Sequence, residues 1–104
     1  MAAKDVLLQA MRERAEVLAD ALREEDFIIG PHLKTKSIGH VSFDVFAPHK
    51  NYAPNTGPWV ATVFVYENGT IAVEDPPSWM AYLSTHPRSV RAAIKAKGLG
   101  EWLR

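Results

Sequence analysis

Four histidines, His32, His40, His49 and His86, are the residues best suited to acid–base or metal chemistry in this chain. Their spacing is wide, with no His-Glu-x-x-His pair and no cysteine beside them, so the ligand density of a metal centre is absent from the sequence. His32 and His40 could meet across the loop from Gly30 to Gly39. No metal and no cofactor is expected.

A nucleophilic site needs a serine or threonine beside a histidine that a carboxylate orients. His40, Ser42 and Asp44 alternate along one stretch and would share one face of a strand. Neighbours on that face stand about 7 Å apart, and a straight row is not the folded cluster that proton transfer requires. Glu74-Asp75 and Glu24-Glu25-Asp26 are adjacent acids whose side chains diverge, which does not make a general acid–base pair. Gly98-Leu99-Gly100 follows a helix instead of joining a strand to one, the wrong setting for a phosphate loop. No catalytic residue is assigned, and a noncatalytic role is expected.

Binding chemistry is better represented. Tyrosine, tryptophan and arginine anchor interfaces, and the stretch Pro48 to Pro58, with three prolines and a glycine, carries His49, Lys50 and Tyr52 and runs into Trp59. These residues, with Trp102 near the C-terminus, are the candidate partner-binding set. The partner would be another protein or a second copy of the chain. The alternative is a small nucleic-acid-binding protein that uses Lys34, Lys36, Lys50, Arg88, Arg91, Lys95 and Lys97 against phosphates.

The net charge is zero but divided: residues 1–26 carry seven acids and four bases, and residues 86–104 carry five bases and one acid. That division could steer a polyanion, or let an acidic N-terminal helix lie beside a basic C-terminal one; the second is the simpler reading. No apolar run is long enough to span a membrane, and the early charges Lys4 and Asp5 do not suit a signal peptide. A cytoplasmic location and no membrane association are therefore expected.

The elements that would position these residues form one domain over residues 1–104, the usual size for a single core. Lys4 to Glu25 has a helical apolar stripe of Leu7, Met11, Ala15, Leu18 and Leu22, widened by Ala10, Val17, Ala19 and Ala21. Residues 37–47 alternate with period two, Val41, Phe43 and Val45 facing one way. Trp59 to Tyr66 is apolar on both faces: Trp59, Ala61, Val63 and Val65 on one, Val60, Thr62, Phe64 and Tyr66 on the other. Asn68-Gly69 predicts a type I′ turn into a strand at residues 70–73. Asp75-Pro76-Pro77-Ser78 should cap a short helix bearing Trp79, Met80, Tyr82 and Leu83, and Val90, Ala93 and Ile94 should face inward from a last helix capped at Gly98. The expected fold is α+β: a long N-terminal helix, an antiparallel sheet of three strands, or four if residues 27–30 or 34–37 add one, and two short C-terminal helices.

Two resemblances bear on function. The order helix, three strands, helix is similar to that of double-stranded RNA-binding domains, but an extra helix stands where their basic residues open the final one. Phe43 to Trp79, with its tyrosine- and proline-bearing loop and Asn-Gly turn, looks somewhat like the middle of a ubiquitin-conjugating domain. There Ala72 stands where the catalytic cysteine would, and the His-Pro-Asn motif is missing, so that likeness implies an interaction-only relative. Neither assigns a family.

Overall fold

A computed structural model describes residues 3–31, 33–36, 39–77 and 86–104. The fold is α+β. Helix α1 spans Ala3–Glu24, followed by strands β1 (Ile28–Ile29), β2 (Lys34–Lys36), β3 (His40–Phe46), β4 (Trp59–Tyr66) and β5 (Ile71–Glu74), helix α2 (Val90–Ala96) and a 3-10 turn over Gly100–Trp102. The helix expected around Trp79, Met80, Tyr82 and Leu83 lies outside the described residues, as do His32, Ser37 and Ile38.

The sheet is antiparallel in the order β1-β3-β4-β5, and β2 also pairs with β3, so the two short strands divide one edge of β3 between them. Met11, Ala15, Leu18, Ala19 and Leu22 of α1 and Val90, Ala93 and Ile94 of α2 form one buried cluster with Val41, Phe43 and Val45, Ala61, Val63 and Val65, and Ile71 and Val73. Both helices thus cover the same face of the sheet. Each fully buried Leu, Ile, Val or Phe contributes about 1.5–3 kcal/mol relative to exposure. Leu7 and Val17 depart from the expected stripe: they are 41% and 49% exposed, because the core contact is narrower than the apolar arc of the helix.

Helix α1 closes with the Phe27 amide donating to the Leu22 carbonyl (3.0 Å) and the Asp26 amide to that of Arg23 (3.1 Å), with Asp26 left-handed at φ 68°. This is a Schellman termination with an aspartate in the position that glycine favours. Gly98, at φ 78°, ends α2 in the same way, its amide donating to the Lys95 carbonyl and that of Leu99 to Ile94. Ser89 caps the other end of α2, its hydroxyl accepting from the Ala92 amide at 3.1 Å.

Two local expectations are corrected. The hairpin turn has three residues, not two: the Gly69 amide donates to the Tyr66 carbonyl at 3.0 Å, the Tyr66 amide to that of Thr70 at 2.9 Å, and only Gly69 has positive φ, at 84°. That is a turn followed by a left-handed glycine, which leaves Asn68 free to accept from the Thr70 amide and hydroxyl at 3.0 and 2.7 Å. In β4, the register shifts between Val45 and Phe46, so Ala61 faces Val45 and Trp59 faces Phe46. This bulge exchanges the expected faces of two residues: Val60 packs against the core, and Trp59 donates its indole N–H to the Thr62 hydroxyl on the opposite side at 3.1 Å.

Candidate binding surface

With the helices on one side, the other face of the sheet is built in rows that the strand registers define. Nearest the hairpin, Lys36, His40 and Tyr66 lie side by side, then Lys34, Ser42, Phe64 and Ala72. Asp44, Thr62 and Glu74 follow, and Ile28, Phe46 and Trp59 close the face at the 48–58 loop. Phe64, Tyr66, Phe46 and Trp59 are all half-buried.

At the hairpin end the rings form a cluster. His40 meets Phe64 edge-on at 5.3 Å between centroids and lies 6.0 Å from Tyr66, while Phe64 and Tyr66 run nearly parallel, 6.5 Å apart and 23° between planes. The Arg104 guanidinium lies 3.6 Å from the Tyr66 ring centre, and its Nε donates to the Thr70 hydroxyl at 3.0 Å. His40 Nε2 is buried with no hydrogen-bond partner among the described residues, an uncommon state for a polar atom in a folded protein. Next along, the Thr62 hydroxyl donates a hydrogen bond to Asp44 Oδ1 at 2.8 Å while accepting one from Trp59.

The row His40, Ser42, Asp44 therefore does not gather into a catalytic cluster. Asp44 is engaged by Thr62, across the strand pair, and the His40 ring turns toward Phe64 and Tyr66. His86 is held by backbone on both sides: Nε2 lies 2.7 Å from the Glu25 carbonyl and Nδ1 accepts from the Arg88 amide at 3.0 Å. Its ring stacks on Phe27 at 3.9 Å. Its task is to bind the end of α1 to the start of α2. A cavity of about 330 Å³ lies beside it, lined by Phe27, Trp59, Val60, Asp75 and Val90. Among the described residues no three His, Cys, Asp or Glu side chains converge as metal ligands, and no helix is long and apolar enough to cross a membrane.

No family model, curated protein or solved structure matches the chain. Its chemistry has to be read from its own residues.

The 48–58 loop is drawn tight at its neck, where the Ala47 amide donates to the Pro58 carbonyl at 3.1 Å and Gly57 presses on the Ala47 carbonyl. Two turns follow each other inside it, with the Tyr52 amide donating to His49 and the Thr56 amide to Ala53. His49 and Tyr52 are brought together, rings edge-on at 5.3 Å, with exposed Lys50 between them in sequence. Tyr52 is 45% exposed. Trp59 stands at the base of the loop, on the outer face. Trp102 is elsewhere: it packs under Arg14, whose Nη1 donates to the carbonyl of Gly69 in the hairpin. Seven strand residues, about 23 Å, separate that end of the sheet from the loop.

The cations of the alternative reading divide in two. Arg91 donates to the Val73 carbonyl at 2.9 Å, Arg88 pairs with Glu25 at 3.4 Å and Lys97 pairs with Glu24. The acidic end of α1 thus absorbs much of the basic charge of the C-terminal region, and Lys97 is held above its ordinary pKa by its hydrogen bond to Glu24. Lys95 and Lys50 remain exposed, and Lys34 and Lys36 occupy the edge strand in register with the ring cluster.

Both sheet edges are guarded. On β5, the Arg104 amide donates to the Ile71 carbonyl at 3.0 Å and Arg91 takes that of Val73. The opposite edge consists of two very short strands, one of them Lys-Thr-Lys. Short, charged and capped edges resist the addition of another strand. The sequence had placed Phe64 and Tyr66 together; their junction with His40 depended on strand register, and no sequence signal linked Arg104 to Tyr66 or Arg14 to Trp102.

Proposed function

We propose that this chain is a noncatalytic interaction module whose ligand docks on the outer face of the sheet, with the 48–58 loop at one margin. The observation that carries this reading is the one-sided layering: α1 and α2 pack on the same face, while His40, Phe46, Trp59, Phe64 and Tyr66 line the other. Half-buried aromatic rings in a cluster are the side chains that anchor interfaces. The exposed Tyr52 and Lys50 extend the surface at the loop. A partner protein, a second copy and a nucleic acid remain the classes of ligand to compare, and the basic helix is a poor phosphate surface because Arg88, Arg91 and Lys97 already have partners.

A photo-reactive phenylalanine analogue at position 64, or at position 52, tests the surface in the cells that make the protein. Irradiation is expected to give covalent adducts from both positions and none from position 17, which lies exposed on α1. An adduct of twice the chain mass would identify self-association. Adducts from position 17 alone would move the binding surface to the helix.

A further inference from the structure

Within that reading, we infer that the hairpin half of the outer face is a stacking platform for single-stranded nucleic acid. Two rows form it: Lys36, His40 and Tyr66, and Lys34, Ser42, Phe64 and Ala72. Their centre is aromatic, with Phe64 and Tyr66 nearly parallel and His40 edge-on to Phe64. The guanidinium of Arg104 already lies on Tyr66, so on that side of the ring it is the guanidinium that offers a planar surface. Bases stack on aromatic rings and on guanidinium planes alike.

Charge complements a phosphate chain. Lys34 and Lys36 occupy the edge strand on one side, Arg104 lies at the other, and neither row contains an acid. The nearest acids are Asp44 and Glu74 in the next row toward the loop and Glu67, whose carboxylate stands by Gly39. The same rows suit a protein partner less well. Ala72 is their only aliphatic side chain, whereas protein interfaces bury a packed apolar centre. Stacking requires only ring faces, and the strand register sets Lys34 and Lys36 on the edge strand that flanks those rings, where a phosphate chain would run. Inside a duplex each base face is already stacked on its neighbour and only the two terminal pairs offer a free face, so the platform discriminates in favour of single strands.

Fluorescence anisotropy of labelled single-stranded DNA and RNA oligonucleotides and a matched duplex, titrated with the whole chain at several salt concentrations, tests this inference. Saturable binding to a single strand, weaker for the duplex, is expected. Three phosphate contacts give a log–log salt slope of about −2. Phe64→Leu keeps an apolar side chain in the sheet but removes the ring, and should weaken binding about 5- to 150-fold with little change in the unfolding midpoint. Lys34→Gln with Lys36→Gln should flatten the slope to about −0.7.

Absence of saturable binding to any single strand at low salt would overturn the inference, as would binding that Phe64→Leu and the lysine pair leave unchanged. If position 64 crosslinks to a protein while no strand binds, the nucleic-acid assignment fails and the interaction-module reading stands. If no strand binds and neither position 64 nor position 52 yields an adduct, both fail.

Discussion

Arg14 and Trp102 are joined face to face, the guanidinium carbon 4.0 Å from the indole centre, while Nη1 of the same arginine donates to the Gly69 carbonyl at 2.7 Å. One side chain of α1 therefore connects the hairpin to the C-terminal turn. Leu103 forms a parallel bridge with Ile71, and the Arg104 amide bonds the Ile71 carbonyl, so the chain end is fixed against β5. Arg104 can reach Tyr66 only because this clasp holds the preceding residues in place.

Arg14→Leu should lower stability by about 1.5–3 kcal/mol, the range for a hydrogen bond from a charged donor. The stacked contact adds about 0.5–1 kcal/mol, which a double-mutant cycle with Trp102→Leu in urea unfolding isolates. A coupling energy below about 0.3 kcal/mol would mean that the indole gains nothing from the cation.

Two glycines should respond differently to a methyl group. At Gly57 the added carbon would overlap the Ala47 carbonyl at the loop neck, a backbone atom with no side-chain rotamer to relieve it. At Gly69 it would meet the Arg14 guanidinium, nearest at Nη1 3.3 Å, a side-chain contact without overlap, with φ 84° as the main cost. Gly69→Ala is expected to cost about 1–2 kcal/mol and Gly57→Ala more than that. Equal denaturation midpoints for wild type and Gly57→Ala would show that the neck is not closely packed.

The sequence makes the gross layering legible because period and propensity agree: Met11, Leu18 and Leu22 do face the core, and Ile71 and Val73 return antiparallel after the turn. It misleads where one residue is inserted or where contact area decides. Val17 fits the helical arc, yet it is left 49% exposed. A single bulge exchanges Trp59 and Val60, which simple alternation cannot anticipate. The candidate surface was half visible: Phe64 and Tyr66 follow from period two, but placing Lys34, Lys36 and His40 beside them requires the register between strands. The charge division was legible as an acidic N-terminal helix lying beside a basic C-terminal one, and the pairs of Glu25 with Arg88 and Glu24 with Lys97 are where the two meet.

Asp26 offers a stabilising substitution. Its φ of 68° is costly for a residue with a Cβ, and its carboxylate lies at the negative end of the α1 dipole. Asp26→Gly relieves both and adds some unfolded-state entropy, for a net gain of about 0.5–1 kcal/mol. A chemical-denaturation midpoint at or below that of wild type would show that the aspartate makes a compensating interaction.

The Lys97 and Glu24 pair predicts how the junction of α1 and α2 responds to alkali. Hydrogen bonding to Glu24 raises the lysine pKa above its ordinary 10.5, and the charges of Glu24 and Glu25 act in the same direction against partial desolvation. A raised pKa means that the folded state holds this proton more tightly than the unfolded chain does. The stabilisation is therefore complete below 10.5 and is lost as pH rises through the higher folded value. Glu24 is exposed and Lys97 partly so, which keeps the effect small and screened by salt. The stability difference between wild type and Lys97→Met should be constant on the neutral side and shrink only in alkali, more visibly at low ionic strength. A difference that instead persists unchanged above that range would assign the role of Lys97 to packing of its aliphatic stem, not to its charge.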